Sequence, residues 1–387
     1  MIFVEILFWA SIFLLIHSYL LYPLFIYVAS RFIKRDFKFD ENYKPSVSVL
    51  IAAFNEKDHI AETISKIIDS DYDKNRLEIL VGSDNSNDGT NKILLELSKK
   101  HSNLKVFLFK ERRGKAIVLN DLVESSSNEI LVFVDANTFC DRNAIKEMVK
   151  YYQDSRIGGV SGKLLFVEEK SNDKLNVETN YWKAESIIKE LEGGIGYLIG
   201  ANGGIYSIRK ELYSTVPDKY SISDDLYISL KILEQKKYFL YNKNAIGREL
   251  ATTNHKAEFN RRIRYNFFFV STIASIKKLL MPGYGLVAFM LWSHKIIRWF
   301  TSVIFIVLFL ANLFLQFSNP FYYTIFICQV AFYVIGIMGF FLLSWKNKFN
   351  IPMLIYYFLF TNVAMLLGIL KFFTSKQGAV WKTVREK

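Results

Sequence analysis

Apolar and polar positions are arranged in two textures along this chain. Residues 2–30 are almost continuously apolar, with Glu5 and His17 as the ionisable exceptions. About 20 such residues cross a bilayer as a helix. The basic residues Arg31, Lys34 and Arg35 follow the run instead of preceding it. A cleaved signal would show the reverse order and a small-residue cleavage site. Residues 1–35 therefore read as a retained transmembrane anchor whose C-terminal end faces the cytoplasm.

From Ser46 the texture changes. Ser46–Ala53, Leu77–Ser83, Leu104–Phe109 and Ile130–Asp135 are short, nearly unbroken apolar runs, as buried parallel strands require. Asp58–Ser70, Thr90–His101, Lys115–Ser125 and Asn143–Asp154 lie between or after them with helical apolar spacing. A short β run, Ile205–Ile208, and an amphipathic helix, Leu226–Glu234, come later. Repeated β-α units predict an α/β domain, residues 45–265, with a parallel sheet covered by helices. Ligands of such sheets lie beyond the C-terminal strand ends.

After Arg264 the apolar texture returns. Phe267–Leu280 carries Lys277 and Lys278 and precedes Pro282, which predicts an interfacial amphipathic helix within residues 266–284. Three longer runs follow, at about Trp299–Gln316, Phe321–Ser344 and Ile351–Phe373, separated by Asn319–Pro320 and Trp345–Lys348. They make residues 285–375 a C-terminal transmembrane region, followed by a basic tail, residues 376–387. Four full spans would put Lys376, Lys382, Arg385 and Lys387 outside, against the positive-inside rule. A re-entrant or interfacial segment removes that conflict.

Composition sharpens this picture in three ways. The 387 residues are 51% hydrophobic without counting glycine, against the ~45–50% with glycine usual for soluble domains. The net charge is +12, but the basic residues flank apolar segments and form no dense tract beside aromatics. That distribution favours anionic lipid over nucleic acid as partner. The two cysteines, Cys140 and Cys328, exclude a disulfide framework and a cysteine-rich zinc site.

Candidate chemistry gathers at the expected strand ends. The first strand ends in Ala52-Ala53-Phe54-Asn55-Glu56, and the second leads into Ser83-Asp84-Asn85-Ser86-Asn87-Asp88-Gly89-Thr90. Asp84 can accept from a base or ribose edge, whereas Asp88 equally suits a helix N-cap. Gly114-Lys115-Ala116 is no P-loop, because Phe109 and Ala116 stand at positions that motif reserves for glycine and a hydroxyl residue. Asp135-Ala136-Asn137-Thr138 offers two side-chain oxygens at one strand tip, which suits magnesium or manganese shared with phosphates, or an Asx turn. Gly200-Ala201-Asn202-Gly203-Gly204 allows close approach of backbone. Ser223-Asp224-Asp225 opens a helix, where acids are favoured by the dipole, and one of them can serve as a general base. Arg261 and Arg264 are three apart on a helix and can share a face toward phosphates or lipid head groups.

Taken in order, these motifs resemble those of family 2 glycosyltransferases of the membrane polysaccharide-synthase type. The likeness runs through AAFNE at 52–56, SDNSNDGT at 83–90, GKA at 114–116 with Asn120, DAN at 135–137, GANGGIYSIR at 200–209, SDD at 223–225 and the arginine-rich helix at 261–265. The resemblance implies a GT-A (Rossmann-like) mixed sheet with flanking helices, and transfer with inversion from a nucleotide-diphospho-sugar, usually a UDP-sugar. It implies that Glu56, Asp84, Lys115, Asp135, Arg261 and Arg264 bind the nucleotide sugar. Asp135 and Asn137 would meet Mg2+ or Mn2+, Asp225 would be the catalytic base, and Asn202, Gly203 and Asp224 would line the acceptor side. Two departures stand out. Asn137 replaces the second acid of the usual Asp-x-Asp, and residues 261–265 read Arg-Arg-Ile-Arg-Tyr where processive members usually carry Gln-x-x-Arg-Trp.

The expected activity is transfer of a sugar to a lipid-linked or glycan acceptor at the cell membrane, by a multi-pass protein with a cytoplasmic catalytic domain among membrane lipids. A processive synthase of the hyaluronan, chitin or poly-N-acetylglucosamine type is the alternative. Three C-terminal segments are few for a conduit, so that alternative calls for a polysaccharide export partner or a homo-oligomer. A non-catalytic nucleotide-sugar-binding scaffold is a third reading, invited by Asn137 and Tyr265 and opposed by Asp84, Asp135 and Asp225. A transporter would need charges within its apolar segments, and these hold few.

Overall fold

The computed structural model describes residues 1–167, 176–218, 221–250, 255–341 and 351–374, with only the backbone of residues 176–181. The elements in chain order begin with helices α1 (Ile2–Ile16) and α2 (Tyr22–Phe32), joined by a π-helical turn at His17–Leu21. The sheet domain follows with β1 (Val47–Ala53), α3 (Ile60–Ile68), β2 (Leu77–Asp84), α4 (Thr90–Lys100), β3 (Leu104–Phe109), α5 (Lys115–Ser125) and β4 (Ile130–Val134). It continues with β5 (Phe139–Cys140), α6 (Ala144–Val149), β6 (Ile157–Val167), α7 (Asn176–Gly194), β7 (Ile205–Arg209), α8 (Asp224–Glu234) and β8 (Tyr238–Leu250). Then come α9 (His255–Ser275), α10 (Leu286–Met290), a second π-helical turn at Leu291–Ile296, α11 (Ile297–Trp299), α12 (Thr301–Leu315), α13 (Pro320–Phe341) and α14 (Ile351–Thr374).

One eight-stranded sheet runs β3-β2-β1-β4-β7-β6-β8-β5. Its first half is the parallel sheet that the β-α repeats predict, with β1 paired to β2 and β4, and β2 to β3. The second half is mixed: β7 runs antiparallel to β4 and β6, β6 and β8 are parallel, and β5 is antiparallel to β8. β1 and β4 are buried almost throughout, because helices cover both faces. The cover is tight at Gly82, where a Cβ would fall 2.4 Å from the Val118 methyl of α5.

Several expectations change. The run Asn143–Asp154 is not one helix: α6 ends at Val149 and a 3-10 turn, Lys150–Gln153, follows. There Lys150 pairs with Glu41 at 2.8 Å and Glu147 at 2.9 Å. Residues 266–284 do not form a separate helix. α9 runs unbroken through the predicted 265/266 boundary, and Phe267, Ile276 and Leu279 are buried. Arg35 of the expected basic cluster packs on aromatic rings. Its guanidinium lies 4.9 Å and 4.5 Å from the ring centroids of Tyr197 and Tyr238.

Among the described residues, three helices are long and apolar enough to cross a membrane: Ile2–Phe32, Pro320–Phe341 and Ile351–Thr374. Thr301–Leu315 qualifies only together with Leu286–Trp299, and the two are bent by 66° at Phe300. The four expected segments are thus three helices of spanning length plus this bent pair. The anchor is tied to the sheet domain through buried polar groups. Tyr22 donates to Glu192 of α7, and His294 lies 2.6 Å from Glu192 and 3.1 Å from Glu185. Lys295 and Arg298 reach Glu185 at 2.7 and 3.2 Å, and Ser18 donates to the Ser293 carbonyl at 2.9 Å. The two π turns therefore meet face to face, where their extra residues bring polar groups inward.

The connection from anchor to sheet is fastened by Asp154. Its carboxylate accepts from Arg156 at 2.6 Å, while the same guanidinium donates to the Asp36 carbonyl at 2.7 Å. The Arg156 hydrogen bond holds Asp154 down at about 2. An acid depressed in the folded state stabilises above its unfolded value of ~3.9 and loses that contribution as pH falls toward the folded value. Asp154→Asn is expected to cost about 1–3 kcal/mol at pH 7, with the gap to wild type closing between about pH 4 and 2. Thermal unfolding in detergent at stepped pH measures it, and a gap independent of pH would contradict the ion pair's part in stability.

Candidate active site

The parallel strands deliver their C-terminal ends to one edge, and the candidate acids collect there. β4 ends in a turn closed by the backbone rather than by an Asp135 side chain, with the Thr138 N–H donating to the Asp135 main-chain carbonyl at 2.9 Å. The Asp135 N–H is fixed by the Gly204 carbonyl at 3.2 Å, and the carboxylate projects to the edge. Lys115, the first residue of α5, reaches it: its ammonium lies 2.7 Å from Asp135 Oδ1 and 3.1 Å from Asp224 Oδ2. Desolvation pulls the Lys115 pKa down, but the charges of Asp135, Asp224 and Asp225 outweigh it and hold the pKa well above the ordinary lysine value. Burial raises Asp224 to about 6, against the pull of Lys115 and with the help of Asp225 and Asp135.

Asp225 is the more accessible of the adjacent acids, while Asp224 is 8% exposed. Ser223 donates to Asp225 Oδ1. Two glycines make room for acids here. A Cβ on Gly203 would sit 2.9 Å from Asp225 Oδ2, and one on Gly204 would sit 2.7 Å from Glu249 Oε1. Gly203→Ala is expected to push Asp225 aside and lower turnover about 10- to 100-fold, since a misplacement of about 1 Å can cost that much. Donor affinity and melting temperature should stay near wild type. A fall in affinity equal to the fall in kcat would show that Gly203 serves the donor and not the Asp225 carboxylate.

Other expected residues fall into place differently. Asp84 is 3% exposed, and its two oxygens accept the Arg113 and Gly114 N–H groups, each at 2.8 Å. In this structure it fastens the loop that starts α5 and so sets Lys115. Asn202 is 9% exposed, its amide donates to the Gly162 carbonyl at 2.6 Å, and its oxygen accepts from Lys189. Its side chain is committed inward, away from the expected acceptor contact. Asn120 is structural, bonded to Val216 at 2.9 and 3.0 Å and to Tyr213 at 2.6 Å. Asp88 does act near the helix start: it accepts from the Thr90 N–H at 3.0 Å, although Gly89 is the cap residue. Glu56 follows β1, where its N–H donates to Thr90 Oγ1 at 2.9 Å. Arg261 pairs with Glu258 at 2.6 Å, and its guanidinium and that of Arg264 lie 5.7 and 5.6 Å from the Tyr265 ring centroid.

Two contributors escape the sequence. Glu249 ends β8 and accepts from Thr138 Oγ1 at 2.6 Å. Burial, reinforced by the Asp135 charge, raises it to about 7. Phe54 carries the Arg112 guanidinium 3.7 Å from its ring centroid, a flat surface beside the β1 and β2 ends. The aromatic ring inside AAFNE was the available signal for Phe54. For Glu249 there was none, because β8 was not legible.

Asp135 and Asn137 fit a divalent cation in donor chemistry: one carboxylate and one amide oxygen, partly exposed, two residues apart. Among the described residues no group of three or more His, Cys, Asp or Glu is arranged to hold a metal ion. Such a site would take its remaining oxygens from phosphate and water, as magnesium sites commonly do.

A half-parallel sheet with acids at the strand ends, closed by antiparallel strands, defines the GT-A architecture. Over 96% of this chain and 100% of the other, the structure superposes on the mannosyltransferase PcManGT from Pyrobaculum calidifontis, solved with GDP-Man and Mn2+, with a TM-score of 0.71 at 19% identity. That likeness is one of fold. Residues 48–213 match the model for glycosyl transferase family 2. It is 27% identical over 244 residues to the probable glycosyltransferase YdaM of Bacillus subtilis, covering 59% of this chain and 56% of that protein. It is 30% identical over 137 residues to poly-beta-1,6-N-acetyl-D-glucosamine synthase of Staphylococcus aureus, covering 33% of this chain and 32% of that protein. The matches thus span about half and a third of these relatives' own lengths.

Proposed function

We propose that this chain is a family 2 glycosyltransferase that transfers a sugar, with inversion, from a nucleotide-diphospho-sugar to a lipid-linked or glycan acceptor at the cytoplasmic face of the membrane. The observation that carries the reading is the convergence of Lys115, Asp135, Asp224 and Asp225 at the C-terminal edge of the sheet, with Gly203 leaving Asp225 open. A sugar hydroxyl is a poor nucleophile at neutral pH. Asp225 takes its proton as the hydroxyl attacks the anomeric carbon and the bond to the diphosphate breaks. Lys115, Arg261 and Arg264 face the diphosphate, where negative charge grows. A Mg2+ or Mn2+ ion held by Asp135 and Asn137 would supply further positive charge there. Glu56 and Phe54 receive the nucleoside, with Asp84 holding the loop beneath it. UDP-sugars are the first candidates, and GDP-sugars come next.

A processive synthase is the second reading, favoured by the staphylococcal relative, a poly-beta-1,6-N-acetyl-D-glucosamine synthase. Tyr265 in place of the usual tryptophan favours single transfer. The test is release of nucleoside diphosphate from a panel of UDP- and GDP-sugars by the full chain in detergent with lipid. Metal-dependent release from one donor is expected, and product length separates the two readings. Donor binding without release, in the presence of lipid extract, would favour the scaffold reading.

A further inference from the structure

The loop Ile199–Gly204 touches both acids of the candidate site. The Gly204 carbonyl accepts the Asp135 N–H at 3.2 Å, and Gly203 lies against Asp225 with no room for a Cβ. The loop is intrinsically soft. Gly200 has a φ of +92°, which glycine adopts freely, and β7 starts only at Ile205. Side chains from three other elements take the place of a sheet ladder. The Ile199 N–H donates to Glu192 of α7 at 3.1 Å, the Ala201 N–H to Ser229 of α8 at 3.2 Å, and the Asn202 N–H to Ser161 of β6 at 2.9 Å. Glu192, Ser229 and Ser161 are each 0% exposed.

Two of these groups reach further. Ser229 Oγ also donates to the Asp225 carbonyl at 2.7 Å, so one hydroxyl joins the loop to the first turn of α8. Glu192 uses its oxygens in two directions. Oε2 takes the Ile199 N–H, while Oε1 takes the Tyr22 hydroxyl and lies 2.6 Å from His294 Nδ1. Tyr22 belongs to the first long apolar segment and His294 to the second π turn. Burying a carboxylate costs desolvation, and apolar residues of similar volume often pack at least as stably. Stability alone gives little reason for an acid here, whereas a carboxylate fixes two partners at once in a way that an apolar side chain cannot.

We propose that Glu192 and Ser229 are positioning residues for the candidate base, so that the seating of the apolar segments on Glu192 fixes where Asp225 stands against the acceptor. The inference rests on the transferase reading above. It adds that the N-terminal segment takes part in catalysis through this loop and does not serve only as an anchor.

The test uses the full chain in detergent with lipid and three donors, UDP-glucose, UDP-N-acetylglucosamine and GDP-mannose. Tyr22→Phe removes a partner of Glu192 and leaves every side chain of the sheet domain in place, and Ser229→Ala removes the bridge to α8. In both, amide hydrogen exchange of residues 199–204 should be about fivefold faster. Turnover should fall about threefold in Tyr22→Phe and about tenfold in Ser229→Ala, with donor KM within about twofold. The same substitutions in an Asp225→Asn background should each cost less than about twofold, because displacing the base is harmless once the base is gone. A merely structural role would multiply the losses in both backgrounds. Multiplied losses, or exchange unchanged in both variants, overturn the proposal and keep the transferase. Full turnover in Asp225→Asn alone overturns the assignment of the base, and faster exchange without turnover on any donor removes the transferase reading and with it the loop's part in catalysis.

Discussion

Asp225→Asn is expected to lower sugar transfer about a thousandfold while leaving donor affinity within about twofold. The substitution keeps the shape. Ser223 can still donate to the remaining oxygen, and the contact across Gly203 is of the same size. Lys115 loses the nearby Asp225 charge but keeps its two ion pairs, which are with Asp135 and Asp224. What is lost is a lone pair basic enough to take the acceptor's proton. Asp224→Asn is the control. Asp224 is buried behind its neighbour and paired with Lys115, so it is the poorer candidate to meet an acceptor. Its loss should cost about tenfold through a loosened Lys115. Single-turnover rates with saturating donor compare the two, and a larger loss from Asp224→Asn would move the base to that residue.

How far the site was legible depended on whether its residues sit at the ends of readable strands. β1, β2 and β4 are apolar runs buried on both faces, and their ends showed Asp84 and Asp135 directly. β6 and β8 were missed for a physical reason. They lie in the mixed half, β8 is only alternately buried over Tyr238–Leu250, and glycines and charged residues interrupt both. With them went Glu249 and the mixed topology as a reading of pattern, although family resemblance supplied the latter. Side-chain direction was not legible at all. Asn202 sits in a glycine-rich motif that suggests a ligand, yet Lys189 and Gly162 hold it inward. Neither was the network of Glu185, Glu192 and His294. Its members are 109 and 102 residues apart, and only the meeting of the two π turns brings them together.

Asp135→Ala is expected to lower kcat about 100- to 1,000-fold and to make the remaining activity insensitive to chelator. The ammonium of Lys115 and a divalent cation compete for the same carboxylate, since Asp135 Oδ1 is 2.7 Å from Lys115. Lys115 cannot yield by losing its proton, because the surrounding carboxylates hold its pKa high. A cation must therefore arrive with compensating negative charge, and a donor diphosphate brings it. Metal and donor should bind synergistically, each raising the other's apparent affinity by the same factor, as linkage requires. Asn137→Asp adds a negative charge at the second ligand position and should lower the Mn2+ concentration for half-maximal activity about tenfold. In Asp135→Ala the synergy should vanish together with the chelator effect. If chelator still lowered the variant's rate by the wild-type factor, the cation would be bound elsewhere, and Asp135 would act on the donor through Lys115 alone.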